Sequence, residues 1–164
     1  AVLVVGATDR PLALKIEAFH SELATEGLSD MAWTIGDVGF EMRLSSYVPD
    51  LISKGITKLI DDLMEKTPVS LEQIQHFAIH PGGKKILEVI GRALNIRRDK
   101  LEPAYKVLKN YGNMSSPTVL FVLKEIVGQL NRRSDGERIL SVAFGPGLTL
   151  ESTVLRIQTT AQHA

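Results

Sequence analysis

Residues 76–87, HFAIHPGGKKIL, decide how the chain is read. HFAIH is a short, dense apolar run of strand type, and Pro81-Gly82-Gly83 stops it. Directly after the glycines the period changes. Ile86, Leu87, Ile90, Ala93 and Leu94 recur at helical spacing, which predicts a helix over 84–95. A strand that breaks at glycine and feeds an amphipathic helix is a unit of mixed α/β architecture.

Upstream, Ser70-Leu71-Glu72-Gln73 is a capping-box pattern that starts a short helical turn. From Val48 a longer helix is expected, with Leu51, Ile52, Gly55, Ile56, Leu59, Ile60, Leu63 and Met64 at helical spacing and Pro49 in the first turn. Residues 14–20 alternate as a strand. Residues 31–34 and 39–44 read as two more around the Gly36-Asp37-Val38-Gly39 turn. The opening run AVLVVGA reads as a buried strand without a lead-in, so a piece of a longer protein is expected.

Downstream, a helix near 101–110 stops at Gly112, and an apolar helix follows over 116–130. Strands over 138–144 and 148–157 flank Gly145-Pro146-Gly147. The order predicts one α/β domain over residues 1–164, a mixed β-sheet with packed helices.

Nineteen basic residues balance nineteen acidic ones, so no net charge draws the chain to nucleic acid or an anionic membrane. No segment has the roughly 18 continuous apolar residues of a membrane span, and no signal-peptide pattern is present. The absence of cysteine removes disulfides, thiolate metal sites and a cysteine nucleophile from this chain. No metal site is expected, and the expected compartment is the cytoplasm.

Three elements can carry chemistry. HPGGKKIL puts His80 at the carboxyl end of a strand with Gly82 and Gly83 before a helix. GNMSSPTVL puts Asn113 just before another helix, and AFGPGLTLE puts Phe144 beside a glycine-rich turn between strands. Each has a plain structural reading: a hydrogen-bonding histidine, turn glycines, and Asn113 or Ser115 as an N-cap contributing ~1 kcal/mol. The chemical reading is that an imidazole N–H and an amide N–H are both donors. Aimed at one point, they stabilise a carbonyl oxygen as it gains negative charge. Glycines after His80 let a ligand approach the backbone, and the helix start adds positive potential.

HPGG, then YGNMSS about thirty residues on, then FGPGLTLE, resembles the carboxy-terminal half of the chalcone and stilbene synthase family, the type III polyketide synthases. Val48-Pro49-Asp50-Leu51-Ile52-Ser53-Lys54-Gly55-Ile56 looks like the family segment before its first long helix in this half, and AVLVVG resembles a strand of the preceding region. The resemblance implies the C-terminal half of a thiolase-like fold. It implies that His80 and Asn113 hold the thioester carbonyl of malonyl-CoA as it loses carbon dioxide. Ser115 would line the cavity, Phe144, Gly145 and Pro146 would shape the cyclisation pocket, and Gly82 and Gly83 would border the pantetheine arm.

The resemblance places Met42 where the plant enzymes carry a gating Phe, and a flexible Met admits a longer or differently shaped starter. Products of alkylpyrone or alkylresorcinol type are therefore expected. No cofactor is implied beyond acyl-CoA and malonyl-CoA as substrates. The nucleophilic Cys belongs to an N-terminal half that this sequence lacks, so the isolated piece is expected to be inactive and that half is an expected partner.

Two alternatives stay open. One is a chain-initiating ketoacyl-ACP synthase, although HPGG and GNMSS differ from its usual His-Gln-Ala-Asn and Gly-Asn-Thr patterns. The other is a non-catalytic half-fold binding or dimerisation module. Isolation of a half-fold would expose apolar surface, and homo-oligomers are expected through residues 119–123 and the Ile86/Ile90 face.

Overall fold

The computed structural model describes residues 2, 4–6, 8 and 10–159. Along the chain run β1 (Leu12–Leu23), β2 (Met31–Gly36), β3 (Gly39–Leu44), α1 (Val48–Met64), β4 (His76–Ile79) and α2 (Lys84–Ala93). Then come α3 (Glu102–Tyr111), α4 (Pro117–Val127), β5 (Arg138–Gly145) and β6 (Thr149–Thr159). One sheet has the order β1-β6-β5-β4, with β4 parallel to β5 and the other pairs antiparallel. β2 and β3 form a separate hairpin.

The parallel pair requires a crossover, and α2, α3 and α4 supply it. Both strands of that pair are buried on both faces: Phe77, Ala78 and Ile79 on β4 and Ile139, Leu140, Ser141 and Val142 on β5 are consecutive buried residues. Successive side chains point to opposite faces, so helices must cover the two sides. α1 packs on β1 and β6, and α4 on β4 and β5. The face of α1 that meets the core carries Val48, Ile52, Ile56, Leu59, Ile60 and Leu63, all essentially without exposure. Each such side chain contributes roughly 1.5–3 kcal/mol.

The edge strand β1 bulges between Ile16 and Ala18. Glu17, at the bulge, reaches Arg138 of β5 (Nε–Oε2 2.7 Å). Beyond the bulge, β1 leaves Phe19 and Leu23 exposed, as is Ile16 before it.

Three expectations are corrected here. In the opening run, residues 1, 3 and 7 lie outside the described ones, while Val2, Val4 and Val5 are exposed and in no strand. An apolar run becomes a strand only when another edge pairs with it, and none does so among the described residues. The Ile86/Ile90 face is not exposed: Ile90 is fully buried and Ile86 nearly so, because α2 packs against α1. Finally, α2 and α4 stop earlier than periodicity suggests. Asn95 turns left-handed (φ 51°) after α2, and Gly128 follows α4.

Candidate active site

His80 follows the last residue of β4. Its backbone N–H donates to the Val142 carbonyl (2.8 Å), extending the parallel ladder by one bond, and its carbonyl accepts from Gly82 N (3.0 Å). Held this way, the residue is 6% exposed. Its ring makes no hydrogen bond among the described residues. Burial pushes the imidazole below its usual pKa, so the neutral form, with one N–H donor and one acceptor nitrogen, is favoured.

Asn113 lies in the corner between α3 and α4. Gly112 ends α3 with φ 69°, a conformation glycine adopts freely. Asn113 Oδ1 then accepts from Ser115 N (2.9 Å) and, more loosely, from Thr118 Oγ1 (3.5 Å). Thr118 is fully buried at the start of α4; its hydroxyl donates to the Ser115 carbonyl (2.7 Å) and accepts from Met114 N (2.8 Å). Together these bonds hold Ser115 at φ 64°, left-handed backbone that costs a non-glycine residue ~1 kcal/mol.

The two corners meet at Gly82. With Oδ1 committed to the Ser115 amide, the Asn113 NH2 must face the other way, and Nδ2 donates to the Gly82 carbonyl at 3.4 Å. From the other side, the His80 ring edge abuts the same residue. A Cβ at Gly82 would lie 3.7 Å from Cδ2 and 3.9 Å from Nε2, and 2.9 Å from Ile86 Cδ1. At Gly83 a Cβ would meet nothing within 4 Å, so open space borders the loop there.

The other candidates are linked to this end of the sheet through backbone. Phe144 is half-buried, two residues beyond the Val142 carbonyl that holds His80. Gly145 and Pro146 lead into the turn, and Gly147 N donates to Met31 O (2.6 Å) at the foot of the β2–β3 hairpin. Leu148, at φ 50°, is fully buried over Gly27, where any Cβ would lie 2.2 Å from its Cδ2. Met42 stands apart on that hairpin, opposite Trp33, and both are about half exposed. Ser115 is exposed at the Asn113 corner.

Thr118 was not among the residues singled out from sequence. A lone hydroxyl in the apolar run PTVLFVL was the available signal. Trp33 was likewise missed, since its register with Met42 follows only from the Gly36–Gly39 turn.

The sequence model for the C-terminal domain of chalcone and stilbene synthases matches residues 16–159. The chain belongs to the chalcone and stilbene synthase family. A putative chalcone synthase of Bacillus subtilis (strain 168) is 34% identical over 140 residues, 85% of this chain and 38% of the relative. Among solved structures, the C-terminal type III polyketide synthase domain of Steely1, a type I/III hybrid from Dictyostelium, superposes with TM-score 0.81 at 28% identity. That match covers 92% of this chain and 42% of the other. PKS-I from the brown alga Ectocarpus siliculosus gives 0.80 at 28% identity, over 87% and 39%.

The fold is thus the C-terminal half of a thiolase-like fold. The chain spans about two fifths of the length of these relatives. Among the described residues no helix is long and apolar enough to cross a membrane.

Proposed function

We propose that this domain supplies the oxyanion donors of a type III polyketide synthase, which condenses malonyl-CoA units onto an acyl-CoA starter with loss of carbon dioxide. One observation carries the reading: the Asn113 amide is pinned through Oδ1, so that its NH2 faces the loop where the buried, unpartnered His80 ring lies. Neutral His80 and Asn113 each offer an N–H to the thioester oxygen of malonyl-CoA. When the malonyl carboxylate leaves as carbon dioxide, its bonding electrons form an enolate whose charge rests on that oxygen. The two donors stabilise it. The enolate carbon then attacks the acyl group, and the thiolate that carried it departs.

That thiolate is the Cys of the N-terminal half, since this chain has none. The domain alone therefore forms no condensation product. Ser115, Phe144, Gly145 and Pro146 are assigned to the cavity, Gly82 and Gly83 to the pantetheine arm, and Met42 to starter choice. The exposed Ile16, Phe19 and Leu23 of β1, with Leu120 of α4, are assigned to contact with the N-terminal half. Without that half they favour self-association, read by sedimentation as a mass above the monomer.

The direct test is malonyl-CoA decarboxylation by the whole enzyme with His80→Ala and Asn113→Ala. Each is expected to lower the rate by about 10²–10³-fold, as loss of one oxyanion donor does elsewhere. Unchanged rates in both would remove the pair from the mechanism.

A further inference from the structure

The lack of cysteine excludes thiolate metal sites but leaves imidazole and carboxylate ligands open. One such set stands where β1 lies on α1. His20 and Glu22 are two apart on β1, so both point to the side that faces the helix, while Phe19, Ser21 and Leu23 are exposed. The ladder to β6 fixes that register: His20 lies opposite Ser152, and its carbonyl accepts from Ser152 Oγ (2.9 Å). Asp62, in the last turn of α1, completes the set. One ligand atom of each residue lies within 4.8 Å of the other two.

The distances suit an ion better than a hydrogen bond. His20 Nε2 is 3.5 Å from Glu22 Oε2 and 3.4 Å from Asp62 Oδ2. Both exceed the roughly 2.7–3.2 Å of an N–H···O bond. Nε2 is itself buried and is the only such side-chain atom without a hydrogen-bond partner among the described residues. Ligands held roughly 2.0–2.2 Å from a tetrahedral zinc ion stand about 3.4 Å apart. The carboxylates already gather round a cation, since Lys58 Nζ lies 2.9 Å from Glu22 Oε1 and 2.8 Å from Asp62 Oδ2. That side chain is 63% exposed, so the ammonium can turn into water. On the far edge of the ring, Lys66 Nζ is 2.7 Å from Nδ1. An ammonium only donates, so Nδ1 accepts and Nε2 carries the ring proton in this state.

We propose that His20 Nε2, Glu22 and Asp62 bind a divalent ion of the zinc class, which ties the edge strand β1 to α1. On binding, the Lys58 ammonium leaves the carboxylates and the exposed Lys66 leaves Nδ1. The ring proton moves from Nε2 to Nδ1, so no net proton is released, and water completes the tetrahedron. One nitrogen and two carboxylate oxygens suit zinc, cobalt or manganese better than calcium, which takes roughly six to eight oxygens. The role is structural, because β1 and α1 carry neither His80 nor Asn113.

The test is titration of the chain with cobalt(II), read by the visible absorption of the tetrahedral ion, with zinc then added as competitor. A tetrahedral spectrum that saturates at equimolar cobalt is expected, and zinc should erase it. His20→Gln and Asp62→Asn should each weaken binding about a hundredfold, at least what loss of an outer partner of a metal ligand costs. His76→Gln, at the other histidine–carboxylate pair, should leave it unchanged. Zinc should also raise the denaturant midpoint of the parent chain but not that of His20→Gln. Lys58→Met removes the competing ammonium and should tighten zinc binding about tenfold.

A spectrum that is octahedral, fails to saturate or survives His20→Gln overturns the proposal. So does a Lys58→Met chain that binds zinc no more tightly than the parent. Lys58→Met alters an exposed side chain and keeps all three ligands, so its outcome does not depend on whether the ligand variants fold.

Discussion

The two loop-to-helix corners of this domain reach the same place by opposite means. The corner before α4 is closed on itself: Asn113 and Thr118 satisfy the amides of Ser115 and Met114, and a left-handed Ser115 is held in place. The corner before α2 is open: Gly83 caps nothing, Lys84 and Lys85 follow, and the His80 ring has no partner among the described residues. A closed corner fixes the direction of one donor. An open corner leaves amides and charge for something else to satisfy. The closed corner therefore holds Asn113 in one orientation, and the open one leaves the start of α2 uncapped.

Substitutions can break this contrast, starting with its strongest bond. Thr118→Val removes a fully buried hydroxyl and strips Met114 N–H of its partner, so denaturant unfolding should show a loss of about 2 kcal/mol. Asn113→Ala loses the acceptor for Ser115 N and should cost about 1 kcal/mol. Asn113→Asp keeps that acceptor but turns an oxygen instead of a donor toward the Gly82 carbonyl, so it should lose less stability than Asn113→Ala while losing decarboxylation. Equal stability loss in both variants would show that Oδ1 does not hold the corner.

Smaller effects sharpen the contrast. At the open corner, Gly82→Ala must push Ile86 aside and should cost about 1 kcal/mol, whereas Gly83→Ala, in extended backbone with space around it, should stay within about 0.5 kcal/mol of the parent. Ser115→Gly relieves a positive φ at the closed corner and should raise stability in denaturant unfolding slightly, by about 0.5 kcal/mol.

The pH profile follows from His80, whose folded pKa lies below its ordinary value because burial disfavours the cation. The unfolded chain then binds the proton more readily. Stability should fall as pH drops from about 6.5 through the lower folded value, with no effect above that window. His80→Gln should flatten that slope in pH-dependent melts.

Much of this was legible in the residues. The switch from strand to helix at Pro81-Gly82-Gly83, the hairpin at Gly36–Gly39 and the stripe on α1 come from local periodicity and turn chemistry, and the structure keeps all three. His80 at a strand end and Asn113 before a helix were legible for the same reason. The role of Thr118 was not, because its neighbours are apolar and its partners belong to a corner that periodicity cannot describe. The opening apolar run also misled, since a continuous apolar run reports a capacity to pair but not the presence of a partner strand.

By itself the sequence determined the elements, their order and the two polar corners, because spacing of apolar residues and glycine conformations act within a few residues of the chain. Only the tertiary structure decided that both corners meet at Gly82. The Asn113 amide reaches a carbonyl thirty-one residues away, and His80 is buried through a bond to β5. Such contacts depend on how β4 pairs with β5 and how α4 packs across them, a balance of burial over the whole core that no local pattern encodes.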